Sequence, residues 1–195
     1  MTAGQETLRT RIRVKGIVQG VGFRPFIYNL AKRHNLKGFC LNDSEGVLIE
    51  AEGRSSDIET FITEIKESPP PLSKVDEAIV EKLPPAGFRD FSIKESLHDE
   101  RKFSQISPDV SVCEECIVEL ENPDDRRYEY PFINCTNCGP RYSITLGIPY
   151  DRKNTTMAKF TMCQECLAEY QNPESRRFHA EPNACPECGP EVWLI

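Results

Sequence analysis

The chain has 195 residues, of which 38% are hydrophobic and 28% charged, with a formal net charge of −7. This length and balance suit one or two globular domains, and neither half carries the basic excess of a nucleic-acid binder. No apolar run reaches the length of a membrane span, and the short polar stretch 1–5 is not a secretory signal, so a cytoplasmic protein with no membrane partner is expected.

Leu8, Thr10, Ile12 and Val14 alternate with Arg9, Arg11, Arg13 and Lys15, which predicts a strand with one buried face ending at Gly16. Residues 18–26, Val-Gln-Gly-Val-Gly-Phe-Arg-Pro-Phe, read as a loop that closes this strand and opens a helix. Pro25 suits the first turn of that helix. Phe26, Ile27, Leu30 and Ala31 give it an apolar stripe, and Lys32, Arg33 and His34 lie toward the end where positive charge is favoured. Such a loop is a site for an anion. The first amides of a helix have no intrahelical partner and point outward. Gly20 and Gly22 allow unusual backbone angles and close approach, and the forked guanidinium of Arg24 can hold two phosphate oxygens. The predicted phosphate-binding set is therefore Gly20, Val21, Gly22, Phe23 and Arg24. The loop lacks the Lys-Ser/Thr ending of a nucleotide P-loop, which argues against a metal-bound triphosphate.

Residues 39–41 and 47–49 read as two strands around the turn 42–46. Ser56 and Glu59 form an apparent capping box, and Ile58, Phe61, Ile62 and Ile65 follow on one helical face until the prolines at 69–71. Two further strands are expected over 75–81 and 88–94, separated by 84–87. The order strand, helix, strand, strand, helix, strand, with a possible fifth strand, predicts an α+β, ferredoxin-like module over residues 8–95, with two helices on one face of an antiparallel sheet.

Residues 16–24, Gly-Ile-Val-Gln-Gly-Val-Gly-Phe-Arg, together with Gly38-Phe39-Cys40-Leu41-Asn42 and Gly46, resemble the two motifs of the acylphosphatase family. Two departures are visible: Leu41 stands where the small enzymes usually carry a basic residue, and the hairpin between Gly46 and Gly53 is one residue shorter. The resemblance implies that Arg24 binds phosphate and that Asn42 positions an attacking water. The implied chemistry needs no metal, Cys or His. An acyl phosphate has a good leaving group, so the protein has mainly to hold the phosphoryl oxygens, stabilise their charge and aim a water. The bland alternatives are a turn role for Asn42 and a module that docks an acyl phosphate or a partner without turnover. Cys40 reads as a small core residue, His34 as a helix-end residue and His98 as part of a linker.

Eight of the nine cysteines fall between Cys113 and Cys188. In a reducing compartment metal is a better reading than disulfides. Cys113, Cys116, Cys135 and Cys138 form one pair of C-x2-C turns, and Cys163, Cys166, Cys185 and Cys188 repeat it 50 residues later. Asn122-Pro123, Arg126-Arg127, Tyr128 and Gly139-Pro140 recur as Asn172-Pro173, Arg176-Arg177, Phe178 and Gly189-Pro190, the mark of an internal duplication. Four thiolates per set suit two structural Zn²⁺ ions with no open coordination position. Spacing leaves open an interleaved pairing across the copies, and His179 is an additional ligand candidate. Iron–sulfur, redox-dithiol and nucleic-acid readings are weaker, the last because the module is acidic. The Arg-Arg pairs are expected to meet local carboxylates such as Asp124, Asp125 and Glu174, or another domain. The expected organisation is a linker over 96–108 and a tandem finger module over 109–190 (109–140 and 159–190), with 191–195 beginning a further domain. Metal removal is expected to unfold the second module while sparing acyl-phosphate hydrolysis by the first.

The two modules in this order resemble the N-terminal part of the nickel–iron hydrogenase maturation carbamoyltransferase family, above all in the run from Arg126 to Pro140 and in Arg176-Arg177-Phe178-His179-Ala180 before Cys185. The resemblance implies that carbamoyl phosphate is hydrolysed by the first module. It also implies that ATP is used only by later domains absent here, and that a HypE-type maturation partner receives the carbamoyl group there.

Overall fold

The computed structural model describes residues 7–96 and 106–193. The alternation at the start of the chain forms β1 (Thr7–Ile17), in which Ile12 and Val14 are fully buried while Arg9, Arg11, Arg13 and Lys15 line the opposite face. Helix α1 (Phe23–Arg33) follows the glycine loop directly. Next come β2 (Lys37–Asp43), β3 (Gly46–Arg54), α2 (Ser55–Glu67), β4 (Lys74–Leu83) and β5 (Phe91–Ile93). The sheet order is β4-β1-β3-β2-β5. The first four strands pair antiparallel, as expected, but β5 runs parallel to β2 at Gly38–Phe91 and Cys40–Ile93, so the sheet is mixed. Both helices pack on the face that carries Ile12, Val14, Ile49 and Ala51, through Ile27, Leu30 and Ala31 of α1 and Ile58, Phe61 and Ile65 of α2. The outer face is held by charge, with Arg9 and Arg11 both on the buried Glu50.

Two local expectations change. Ser56 does not cap α2: the helix starts two residues earlier, with Arg54 at the N-cap and no side-chain cap, and the Ser55 hydroxyl bonds Glu59 at 3.2 Å instead. The last strand covers only 91–93 of the expected 88–94, because Gly87 and its neighbours are held by the Glu52 carboxylate rather than by a ladder. Most of the expected linker, with His98, lies outside the described residues, as does the end of 191–195.

The second module duplicates itself in three dimensions. Helices α3 (Glu114–Glu121) and α4 (Gln164–Gln171) each begin on the first cysteine of a set and end on Asn122 or Asn172 with nearly the same backbone angles. Glu129 and His179, 50 residues apart, share the left-handed conformation at φ 53° and 51°. Their amides donate to Leu120 and Tyr170 carbonyls in equivalent turns.

Candidate active site and metal centres

The loop after β1 is shaped by both modules. Gly20 and Gly22 each adopt φ +73°, as the loop geometry requires. The close approach they allow is to the finger module. A Cβ at Gly20 would lie 2.4 Å from Pro140 and 2.9 Å from the Tyr150 ring, and one at Gly22 would lie 3.0 Å from Thr136. Gln19 is buried and ties three segments together. Its amide donates to the Asp43 and Gly46 carbonyls, and its oxygen accepts the Tyr150 amide at 3.0 Å.

Arg24 and Asn42 face a common niche, lined by Val18, Gly20, Gly22, Phe23, Arg24, Pro25 and Asn42 from the first module and by His179 and Glu181 from the second. Its volume is about 10 Å³, room for about one water. Asn42 is 1% exposed, and neither its Oδ1 nor its Nδ2 has a hydrogen-bond partner. Arg24 donates to Asp151 at 2.9 Å and to Glu181 at 2.6 Å, both from the second module. Burial alone would depress the Arg24 guanidinium, but Glu181 and Asp151 lift it above its ordinary value. Burial pushes the Glu181 carboxyl up despite Arg24. Burial and then the Arg24 cation push the His179 imidazole down to about 4, so it is neutral at pH 7. A second cavity of about 250 Å³ adjoins the niche through Arg24, His179 and Glu181. It is also lined by Lys94 and Ser96, and the Ser96 hydroxyl is buried without a partner.

Of the residues expected from sequence, Arg24, Asn42, Gly20, Gly22 and Phe23 line the niche and Val21 does not, while the wall formed by His179 and Glu181 was not foreseen. His179, a candidate metal ligand by sequence, is in neither cysteine cluster; it packs on Tyr170 and Phe178 and faces the niche. A signal did exist. In the 50-residue repeat, Glu129 and Pro131 become His179 and Glu181, and these two changed positions line the niche beside Arg24. Asp151 lies between the copies, where no repeat could flag it.

The cysteines gather without interleaving into Cys113, Cys116, Cys135, Cys138 and Cys163, Cys166, Cys185, Cys188. Sulfur–sulfur distances of 3.5, 3.7 and 3.9 Å match the edge of about 3.8 Å that four Zn–S bonds of about 2.3 Å would span. The Arg-Arg pairs do not meet Asp124, Asp125 or Glu174 through their side chains. They cross to the other copy. Arg126 donates to Cys163 and Cys166, and Arg127 to Cys166, Glu169 and Asn183. In return, Arg176 donates to Cys113, Cys116 and Cys135, and Arg177 to Cys116 and Glu119. Clusters of thiolates are anionic, so guanidinium N–H groups are fitting neighbours.

Residues 10–93 match the acylphosphatase family, and residues 112–145 and 162–195 match the HypF finger. A probable carbamoyltransferase HypF from Methanocaldococcus jannaschii is 50% identical over 75% of this chain and 20% of its own length, and a carbamoyltransferase HypF from Rhizobium leguminosarum is 53% identical over 77% and 19%. A crystal structure of full-length HypF in a phosphate- and nucleotide-bound form superposes on 98% of this chain and 25% of that one, with a TM-score of 0.93 and 52% identity. The chain matches the N-terminal part of HypF, an acylphosphatase domain followed by HypF fingers. It spans about a fifth of the length of its HypF relatives. Its first module is at the same time an acylphosphatase domain: an acylphosphatase from Thermotoga petrophila is 44% identical over 43% of this chain and 93% of its own length. The HypF fingers add to that domain the side of the niche formed by His179 and Glu181.

Proposed function

We propose that the niche hydrolyses an acyl phosphate, with carbamoyl phosphate as the substrate, as the first step of carbamoyl transfer in hydrogenase maturation. The observation that carries this reading is Asn42, whose amide is buried beside Arg24 with both polar atoms unpartnered. A buried amide left so is costly, and a positioned water is the partner it suits. The loop amides and the remaining N–H donors of Arg24 hold the phosphoryl oxygens. Water held by Asn42 attacks phosphorus. The bond from phosphorus to the acyl oxygen breaks, its electron pair leaves on the acyl carboxylate, and the water's protons pass to phosphate oxygen and solvent. For carbamoyl phosphate the products are carbamate and phosphate. The niche has room for the water, and the phosphoryl group fits where the niche meets the adjoining cavity at Arg24.

The cysteine sets suit one Zn²⁺ each, held by four thiolates with no position left for water, so the metal has a structural role. On this reading, carbamoyl transfer to a HypE-type partner, with ATP, falls to the four fifths of the HypF length that this chain does not span.

The test is phosphate release from carbamoyl phosphate by the chain and by Arg24→Ala. Loss of at least about 100-fold in kcat/KM is expected, the scale of removing one preorganised donor. Equal rates would reject the site.

A further inference from the structure

The niche has walls of two origins, and His179 and Glu181 are the two residues the second finger supplies to it. Both also line the larger cavity, as does Arg24. They therefore stand where the two spaces meet. With the water in the niche and the phosphoryl group at this junction beside Arg24, the acyl end of the substrate extends into the larger cavity, which Glu181 also lines. The Glu181 carboxylate is 2% exposed. Its Oε2 accepts the Tyr170 hydroxyl and the Arg152 amide, each at 2.9 Å, and its Oε1 accepts Arg24 at 2.6 Å. A carboxylate oxygen can accept two hydrogen bonds, so Oε1 keeps one acceptor position.

We infer that Glu181 reads the acyl end of the substrate by accepting one of its N–H groups, so that the second finger makes the site selective for an acyl phosphate bearing an amino group on its carbonyl carbon. The inference rests on the acyl-phosphate reading of the niche. Carbamoyl phosphate has this donor, and acetyl phosphate has a methyl group in its place. The methyl group would meet a buried charge and leave its acceptor position empty, and both are unfavourable. Sites built to bond a substrate N–H discriminate strongly against analogues that lack it. Asp151 grips the other arm of Arg24, so the phosphate hold does not depend on Glu181 alone.

The experiment measures kcat/KM for carbamoyl and acetyl phosphate with the full chain, Glu181→Gln and Arg24→Ala. The chain should prefer carbamoyl phosphate by about 10- to 100-fold, the range for a hydrogen bond to a charged group. Glu181→Gln should lose most of that preference, with the larger fall on carbamoyl phosphate. Equal use of the two substrates by the parent chain, or an undiminished preference in Glu181→Gln, overturns the inference while leaving hydrolysis at the niche standing. If Arg24→Ala hydrolyses both substrates at the parent rate, the niche itself is wrongly assigned and both readings fall. If Glu181→Gln does not fold, judged by metal content and circular dichroism, Glu181→Asp decides. It keeps the charge but withdraws it by one methylene, so a lost preference supports the inference and a retained one overturns it.

Discussion

Asn42 is buried with two unpartnered polar atoms, a state that costs about 1–3 kcal/mol. Replacing it with a similarly sized apolar side chain should therefore stabilise the fold while removing the water's anchor. For Asn42→Leu we expect a higher thermal midpoint by about 2–4 °C per kcal/mol recovered, together with loss of acyl-phosphate hydrolysis. Calorimetry and phosphate release check the two halves, and a lowered midpoint would mean that the amide is satisfied structurally. Neighbouring Cys40 contrasts with it. Burial pushes its thiol up to about 12, so it is an inert part of the core, as its apolar setting in the sequence suggested. Arg24 and Asn42 were legible because they sit in fixed local motifs. Asp151 was not, because a lone carboxylate in a polar segment looks like any solvated one until the chain brings it 2.9 Å from Arg24, and Glu181 was marked only by its replacement of Pro131 in the repeat.

Periodicity located the strands and helices well, since alternation and the i, i+3, i+4 spacing report burial directly. The cap of α2 was misread because Ser55 enters the helix and leaves Ser56 inside the first turn. The Arg-Arg pairs were also misread: local sequence offers nearby acids, whereas the duplication offers a symmetric partner. Arg127 and Arg177 are 1% and 5% exposed and reach Glu169 and Glu119 of the opposite copy. Each copy thus supplies cations to the cysteines of the other, which couples the two four-cysteine clusters. Titration with a chelator should release both metals in one transition, followed by metal content and circular dichroism. Arg127→Ala should destabilise the module by about 3–5 kcal/mol, the usual cost of breaking a buried charge pair. Two separate release steps in the parent chain would contradict the coupling.

At the scale of the molecule, the two modules share the site rather than dividing labour. Asp151 and Glu181 hold Arg24, Tyr150 holds Gln19, Tyr28 packs edge-on against Phe178 at 5.4 Å, and Asn29 donates to the Pro173 carbonyl. These contacts argue against the expectation that hydrolysis survives metal removal. Metal ligation provides much of the folding energy of a small finger, and an unfolded finger releases Arg24 from both carboxylates. Chelation should lower kcat/KM for carbamoyl phosphate by at least about 10-fold, on the scale of one lost charged hydrogen bond, and adding Zn²⁺ back should restore it. Unchanged hydrolysis by the stripped chain would return the site to the first module alone. None of this interdependence was visible in the sequence, which records spacing within a segment but not which segments touch.

Pro140 and Tyr150 leave no space for a side chain at Gly20, so any residue other than glycine there would push aside a segment 120 residues downstream. A chimera that grafts the loop of a stand-alone relative onto these fingers would succeed only if the graft keeps that position bare.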